Sequence, residues 1–118
     1  MTDTYRPLVA DTDLSKAGLA IQLVAAGTGV AAPSIASRAR LGPRVARARW
    51  MAMYLAHIAY GWTLERVGHA FGVNRATAAN ACRWVEDERD RRDVDDLLNR
   101  LERAVSELFA APQCEIMA

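Results

Sequence analysis

Apolar residues recur along the chain at intervals of three and four, and the breaks in that rhythm mark six helical segments. A first helix, capped by Asp11 or Thr12, carries Leu14, Leu19, Ile21, Leu23 and Val24 until Gly27, Thr28 and Gly29 stop it. Pro33 suits the first position of a short helix, Ser34 to Arg38, and a basic loop, Arg38 to Pro43, follows. A third helix then runs from Arg44 to Tyr60, with Val45, Trp50, Met53, Tyr54, His57 and Ile58 at spaced positions and Gly61 as its end. In the next, Thr63 is the N-cap, Glu65 lies in the first turn where the helix dipole favours an acid, and Leu64, Val67 and Phe71 recur at helical spacing. Gly72 sits at a turn, and Asn74 can cap a fifth helix. There Ala78, Cys82 and Val85 form an inward stripe, with Ala76, Asn80 and Arg83 opposite. After the charged run Glu86 to Arg92, read as a solvated helix end or inter-helix turn, Val94, Leu97, Leu98, Leu101, Val105 and Leu108 define an amphipathic last helix, Asp93 to Phe109.

Strand-favouring runs of Val, Ile and Thr are nearly absent, so the fold class is all-α. At 118 residues the chain supports one domain. Residues 11–109 are expected to form it, residues 1–10 a flexible arm and residues 110–118 a frayed tail.

The segment Thr63 to Trp84, two short helices joined at a glycine, has the form of a helix-turn-helix that presents its second helix to DNA. An ordinary amphipathic hairpin is written the same way. Charge distinguishes them. Between Pro33 and Val85 stand eight arginines, Arg38, Arg40, Arg44, Arg47, Arg49, Arg66, Arg75 and Arg83, against the single acid Glu65. From Glu86 onward ten acids meet five arginines, so a formal net charge of +1 conceals a dipolar chain. Arginines can simply be solvated, but so long a stretch nearly free of acids is electrostatically unfavourable unless an anion relieves it.

Other chemistries find little support. Cys82 and Cys114 lack metal-ligand spacing and read as free thiols in a reducing cytoplasm, Cys82 as a small core residue. His57 and His69 stand apart without acidic or thiol partners, so no metal is expected. The serines lie outside any nucleophile elbow and no catalytic set assembles, so the chain reads as no enzyme, with no cofactor. The apolar stretch Ala17 to Ala32 is interrupted by Gln22, Gly27, Thr28 and Gly29, lacks a basic leader and is too short for a bilayer. Trp50, Trp62 and Trp84 read as core or boundary packing rather than base-stacking platforms.

The run VARARWMAMYLAHIAYGWTLERVGHAFG, Val45 to Gly72, followed by ACRWVED from Ala81, resembles the C-terminal DNA-binding domain, domain IV, of the bacterial replication initiator DnaA family. Met51-Ala52-Met53, Val67-Gly68, Phe71-Gly72 and Ala81-Cys82-Arg83 stand in that family's order, and the likeness spans residues 12–108. It implies a compact multi-helix, Trp-repressor-like fold containing the helix-turn-helix. The family's Asp-His-Thr-Thr falls on Asn74, Arg75, Ala76 and Thr77, with one residue deleted after Gly72. By position Asn74, Arg75 and Ala76 inherit contact with base edges. Their chemistry differs, since Arg holds guanine and Asn holds adenine bidentately, so a target other than the DnaA box is expected. The minor-groove arginine of the family falls near Leu41, with Arg40 as substitute, and Arg47 and Arg49 match arginines near the phosphate backbone.

These 118 residues contain no G-x-x-x-x-G-K-[ST] loop, which predicts a DNA-reading module used alone and without nucleotide. Stand-alone DnaA-like regulators of this kind include gene transfer agent activators, a looser likeness. The expected function is a double-stranded DNA-binding transcription regulator, an activator or co-activator at the nucleoid. Arg38, Arg40, Arg44, Arg47 and Arg49 would grip backbone or minor groove, and Thr63, Asn74, Arg75, Ala76, Thr77, Asn80 and Arg83 would form the groove face. The acidic last helix would offer a surface to a second protein such as a sigma-like factor or RNA polymerase. The alternative is an adaptor or inhibitor that keeps the helix-turn-helix shape without DNA, slightly favoured by Ala76 and Ala79 on the groove side.

Overall fold

Proline or glycine marks four of the five breaks between helices, the exception being Arg89 to Arg91. The computed structural model describes residues 9–110 and 112–116 and contains α1 (Asp11–Thr28), α2 (Ala32–Ala36), α3 (Pro43–Ala59), α4 (Leu64–Phe71), α5 (Arg75–Glu88) and α6 (Arg92–Ala110), with no strand among the described residues. Most of the expected N-terminal arm lies outside the described residues, and residues 112–116 after α6 are exposed and without regular structure.

Several helix ends differ from the sequence reading. Ala10, extended at φ −61 and ψ 143, takes the cap position of α1, so Asp11 and Asp13 lie in the first turn, where their charges still meet the positive end of the dipole. Gly27 does not end α1, which runs on to Thr28 and closes at Gly29. Gly27 instead admits α6: a Cβ there would lie 2.6 Å from Leu97 Cδ1. The short α2 ends at Ala36 rather than Arg38, with Pro33 as its second residue, because Ser37 is already extended at ψ 145.

α3 is the axis of the molecule and touches all five other helices. Its residues Met51 to Ala56 are buried without interruption. The middle of α3 is enclosed all round while Arg44 and Arg47 near its start and Ile58 near its end are exposed, so no single polar face runs its length and its periodicity is weak. One core cluster joins Val24 and Ala20 of α1 to Tyr54 and Leu55 of α3, Val85 of α5, and Leu98 and Val105 of α6. A second, beneath the helix-turn-helix, contains Met53, Ala56, Trp62, Val67, Ala78 and Ala81. Cys82 is buried and burial pushes its thiol up to about 11, whereas Cys114 is exposed. Leu14, Ile58 and Leu108, read among the spaced apolar positions, are about half exposed, at 50%, 44% and 57%, and each lies within a turn of a helix end.

The charged run after α5 is more than a solvated turn. Arg89 is largely buried and donates to Asp95 at 2.7 Å, Glu102 at 2.8 Å and the Tyr54 hydroxyl at 3.1 Å, tying the α5–α6 turn to α3 and α6. The Tyr54 hydroxyl in turn donates to Glu86. Burial, reinforced by the Glu86 bond, raises that phenol to about 12.

Candidate nucleic-acid interface

The helix pair α4 and α5 is built from its caps. Thr63 Oγ1 accepts the Arg66 backbone N–H at 3.2 Å, and Asn74 Oδ1 accepts the Thr77 N–H at 2.8 Å, so each helix starts where the sequence places it. Between them the chain reverses in three residues. Gly72 adopts φ 73, a conformation that favours glycine, and the Val73 N–H reaches back to the Gly68 carbonyl at 2.9 Å. Gly68 is required by proximity, since a Cβ on it would lie 2.6 Å from the Val73 carbonyl oxygen. Val67 and Ala78, both at 0% exposure, seal the two helices over Trp62. Trp62 is seated in turn by His57, whose Nδ1–H donates to the Trp62 carbonyl at 2.6 Å.

This packing leaves one side of α5 open. Arg75, Ala76, Thr77, Asn80 and Arg83 are all exposed, while Ala78, Ala81, Cys82 and Val85 are buried. The inward stripe of the sequence reading is present, widened by Ala81. Asn74 is also at the surface, but its carbonyl is turned back onto its own helix. A bidentate grip on adenine needs the side-chain carbonyl and amide presented together to the groove, and the cap directs the carbonyl to Thr77.

The nominated arginines fall around this face in different states. Arg38 lays its guanidinium against Gly72, at the turn between α4 and α5. Arg47 lies over the Trp84 ring at 5.6 Å, and Trp84 meets Trp50 edge-on at 5.2 Å, so the N-terminal half of α3 abuts the recognition helix. Arg40, Arg75 and Arg83 are exposed. Arg44 donates to the Thr28 carbonyl at 3.1 Å, and Arg49 donates to the carbonyls of Ile35 at 2.8 Å and Ser34 at 3.2 Å. Both therefore close helix ends, a role that the sequence reading did not assign. Among the described residues none of these seven arginines makes an ion pair.

Arg66, counted in the basic surplus, is the exception. It grips Asp13 of α1 with two bonds of 2.8 Å and covers Trp62 at 4.6 Å. The Arg66 hydrogen bonds hold the Asp13 carboxyl below its ordinary 3.8. No local signal links residues 53 apart, and only the fold brings them together. The acidity expected of the last helix is also largely internal: Asp95 and Glu102 face Arg89, Asp93 pairs with Arg91, and exposed Asp96 and Glu107 share the helix with exposed Arg100 and Arg103.

A six-helix domain that displays the second helix of a helix-turn-helix, flanked by cations without carboxylate partners, defines a helix-turn-helix protein of the nucleic-acid-binding class. The chain belongs to the bacterial DnaA protein helix-turn-helix family, whose pattern it matches over residues 19–85. The matched span takes in most of α1, all of α2 to α4, and α5 as far as Val85, and leaves α6 outside. A search of curated proteins finds no match. Domains of this family bind double-stranded DNA. No helix among the described residues is long and apolar enough to cross a membrane.

Proposed function

We propose that the protein is a sequence-specific double-stranded DNA-binding transcription regulator, acting in the cytoplasm at the nucleoid as a binding module and not as a catalyst. The observation that supports this most is the ring of unpaired arginines about α5: Arg38 at its entry, Arg47 beside Trp84, and Arg75 and Arg83 on the helix itself. α5 enters the major groove N-terminus first, where its free amides also suit a phosphate. Arg75 reads a base, and Ala76, Thr77 and Asn80 complete the groove face. Thr63 and Asn74 act chiefly as caps that fix the approach of the two helices. Arg40 enters the minor groove, and Arg38, Arg47 and Arg83 hold phosphates. Arg44 and Arg49 add phosphate contacts through guanidinium N–H groups not engaged with carbonyls.

With Arg75 in place of the family's histidine, the target differs from the DnaA box. A module of this size makes limited contact, so tight specificity calls for repeated sites, a second copy or a protein partner such as a sigma-like factor or RNA polymerase. Activation within a regulatory system of the gene transfer agent kind is the finer form of the same proposal.

Selection from randomised duplexes tests the assignment. Arg75→Ala should relax preference at one or two base pairs, at a cost of about 1–3 kcal/mol, whereas Arg47→Ala should weaken all sequences alike. Equal loss on every sequence for Arg75→Ala overturns the base-reading role.

The second reading, an adaptor that keeps this shape without binding DNA, rests on Ala76, whose exposed methyl gives the groove no hydrogen bond. Mobility shifts at increasing salt separate the two. A duplex bound at low salt and released steeply as salt rises supports the regulator, and no binding at any salt supports the adaptor.

A further inference from the structure

We propose that a cavity beside α5 binds a small organic acid, one carboxylate on an apolar body of roughly a dozen carbon atoms, and that its occupancy weakens DNA binding. The cavity measures about 440 Å³ and lies where the end of α1, the start of α3, the second half of α5 and the start of α6 converge. Its floor is apolar: Val30, Ala48, Met51 and Val85 are each no more than 9% exposed. Its mouth is cationic. Arg44 is held there by its bond to the Thr28 carbonyl, and Arg47 by the Trp84 ring. Among the described residues neither makes an ion pair, and Glu88 and Arg91, which also line the cavity, pair with each other at 3.6 Å.

An apolar floor beneath two uncompensated guanidiniums selects against both simple classes of ligand. A neutral apolar compound would dehydrate the arginines without satisfying them, and a small inorganic anion would leave the floor unfilled. A carboxylate on a hydrocarbon or aromatic body does both. The body lies on Met51 and Val85, and the carboxylate meets Arg44 and Arg47. The link to DNA rests on the function proposed above, in which these two arginines hold phosphates. A carboxylate already bound to them competes with that contact, and the coupling is reciprocal: DNA weakens the acid by the same factor.

The full chain, labelled at Met and Val methyls, is titrated with 1-naphthylacetate at constant ionic strength. Saturable shifts at Met51, Val30 and Val85 are expected with a dissociation constant of about 1 mM or lower. The neutral 1-naphthylacetamide should bind about tenfold more weakly. At ten times its dissociation constant the acid should raise the apparent dissociation constant for DNA severalfold, up to the roughly elevenfold limit of full exclusion. Val94→Trp, which fills the mouth from α6, should abolish the shifts and leave DNA affinity unchanged. Arg44→Gln, at an exposed position, should weaken the acid with the fold intact.

Absence of shifts in the unaltered protein at 10 mM probe, roughly ten times the expected constant, overturns the site. Equal binding of acid and amide overturns the ligand class. Saturable shifts with DNA affinity unchanged overturn the regulatory role. A protein that binds no DNA without the probe sinks the proposed function instead, while the methyl shifts still decide the cavity.

Discussion

Two glycines show how the neighbourhood of a single residue decides its tolerance. Alanine at Gly68 would place a methyl against the Val73 carbonyl, which is backbone and can yield only if the turn between α4 and α5 moves. Alanine at Gly27 would meet the end of the Leu97 side chain, which can rotate away. Both positions are helical, where alanine is intrinsically better than glycine by about 1 kcal/mol. Gly68→Ala should therefore lose about 1–3 kcal/mol net and Gly27→Ala should change stability by less than about 1 kcal/mol. Thermal unfolding followed by circular dichroism checks both, and similar losses at the two sites contradict the argument. The sequence takes Gly27 for a helix stop and shows neither obstacle, since Leu97 lies on α6 and the Val73 carbonyl approaches Gly68 only once the turn after α4 has formed.

At the scale of elements, the helix-turn-helix is held to the rest of the domain by its second core cluster and by the Arg66–Asp13 pair, which fastens α4 to the start of α1. Because the Asp13 carboxyl is held below its ordinary value of 3.8, the ionised form favours the folded state. That contribution is fully present above 3.8 and is lost as pH falls below it towards the native value. Asp13→Asn should accordingly be less stable than the parent at pH 7, and the difference should shrink below about pH 4. Chemical unfolding at pH 7, 5 and 3 measures it, and an undiminished gap at pH 3 contradicts the assignment. The element pattern itself was well marked in the sequence: Thr63, Asn74, Gly72 and Pro43 each act where their local chemistry places them. The ends of α1 and α2 were less legible because capping depends on the backbone angles of one residue, and several neighbouring polar residues could have served equally well.

For the whole molecule, the decisive property is where charge remains after pairing. The basic segment keeps its surplus except at Arg66, whereas half of the acids that follow, Glu86, Glu88, Asp93, Asp95 and Glu102, are drawn into the Arg89 clamp and its neighbours. The cationic surface therefore gathers around α5, and α6 is a structural closure more than an acidic platform. If Arg38, Arg44, Arg47, Arg49 and Arg83 each neutralise one phosphate, log affinity for duplex DNA should fall with log salt at a slope of about −4 to −5. Arg47→Ala should reduce that slope by about one. A slope near zero in titrations of the intact chain contradicts electrostatic engagement of the duplex.

The sequence by itself determined the all-α class, the helix-turn-helix with its caps and turn, the inward stripe of α5 and the basic segment beside it. Each of these follows from residue type and short-range spacing, which act within a few turns of chain. Tertiary structure alone decided how each arginine is held. Arg44, Arg49 and Arg66 look like Arg47 in the sequence, yet each meets a carbonyl or carboxylate supplied by another helix. It also decided that the middle of α3 is enclosed on all sides, that Arg89 locks the last helix in place, and that two cations stand over an apolar cavity. Partners distant in the chain leave no periodic trace, because the energy that selects them exists only once the helices have packed.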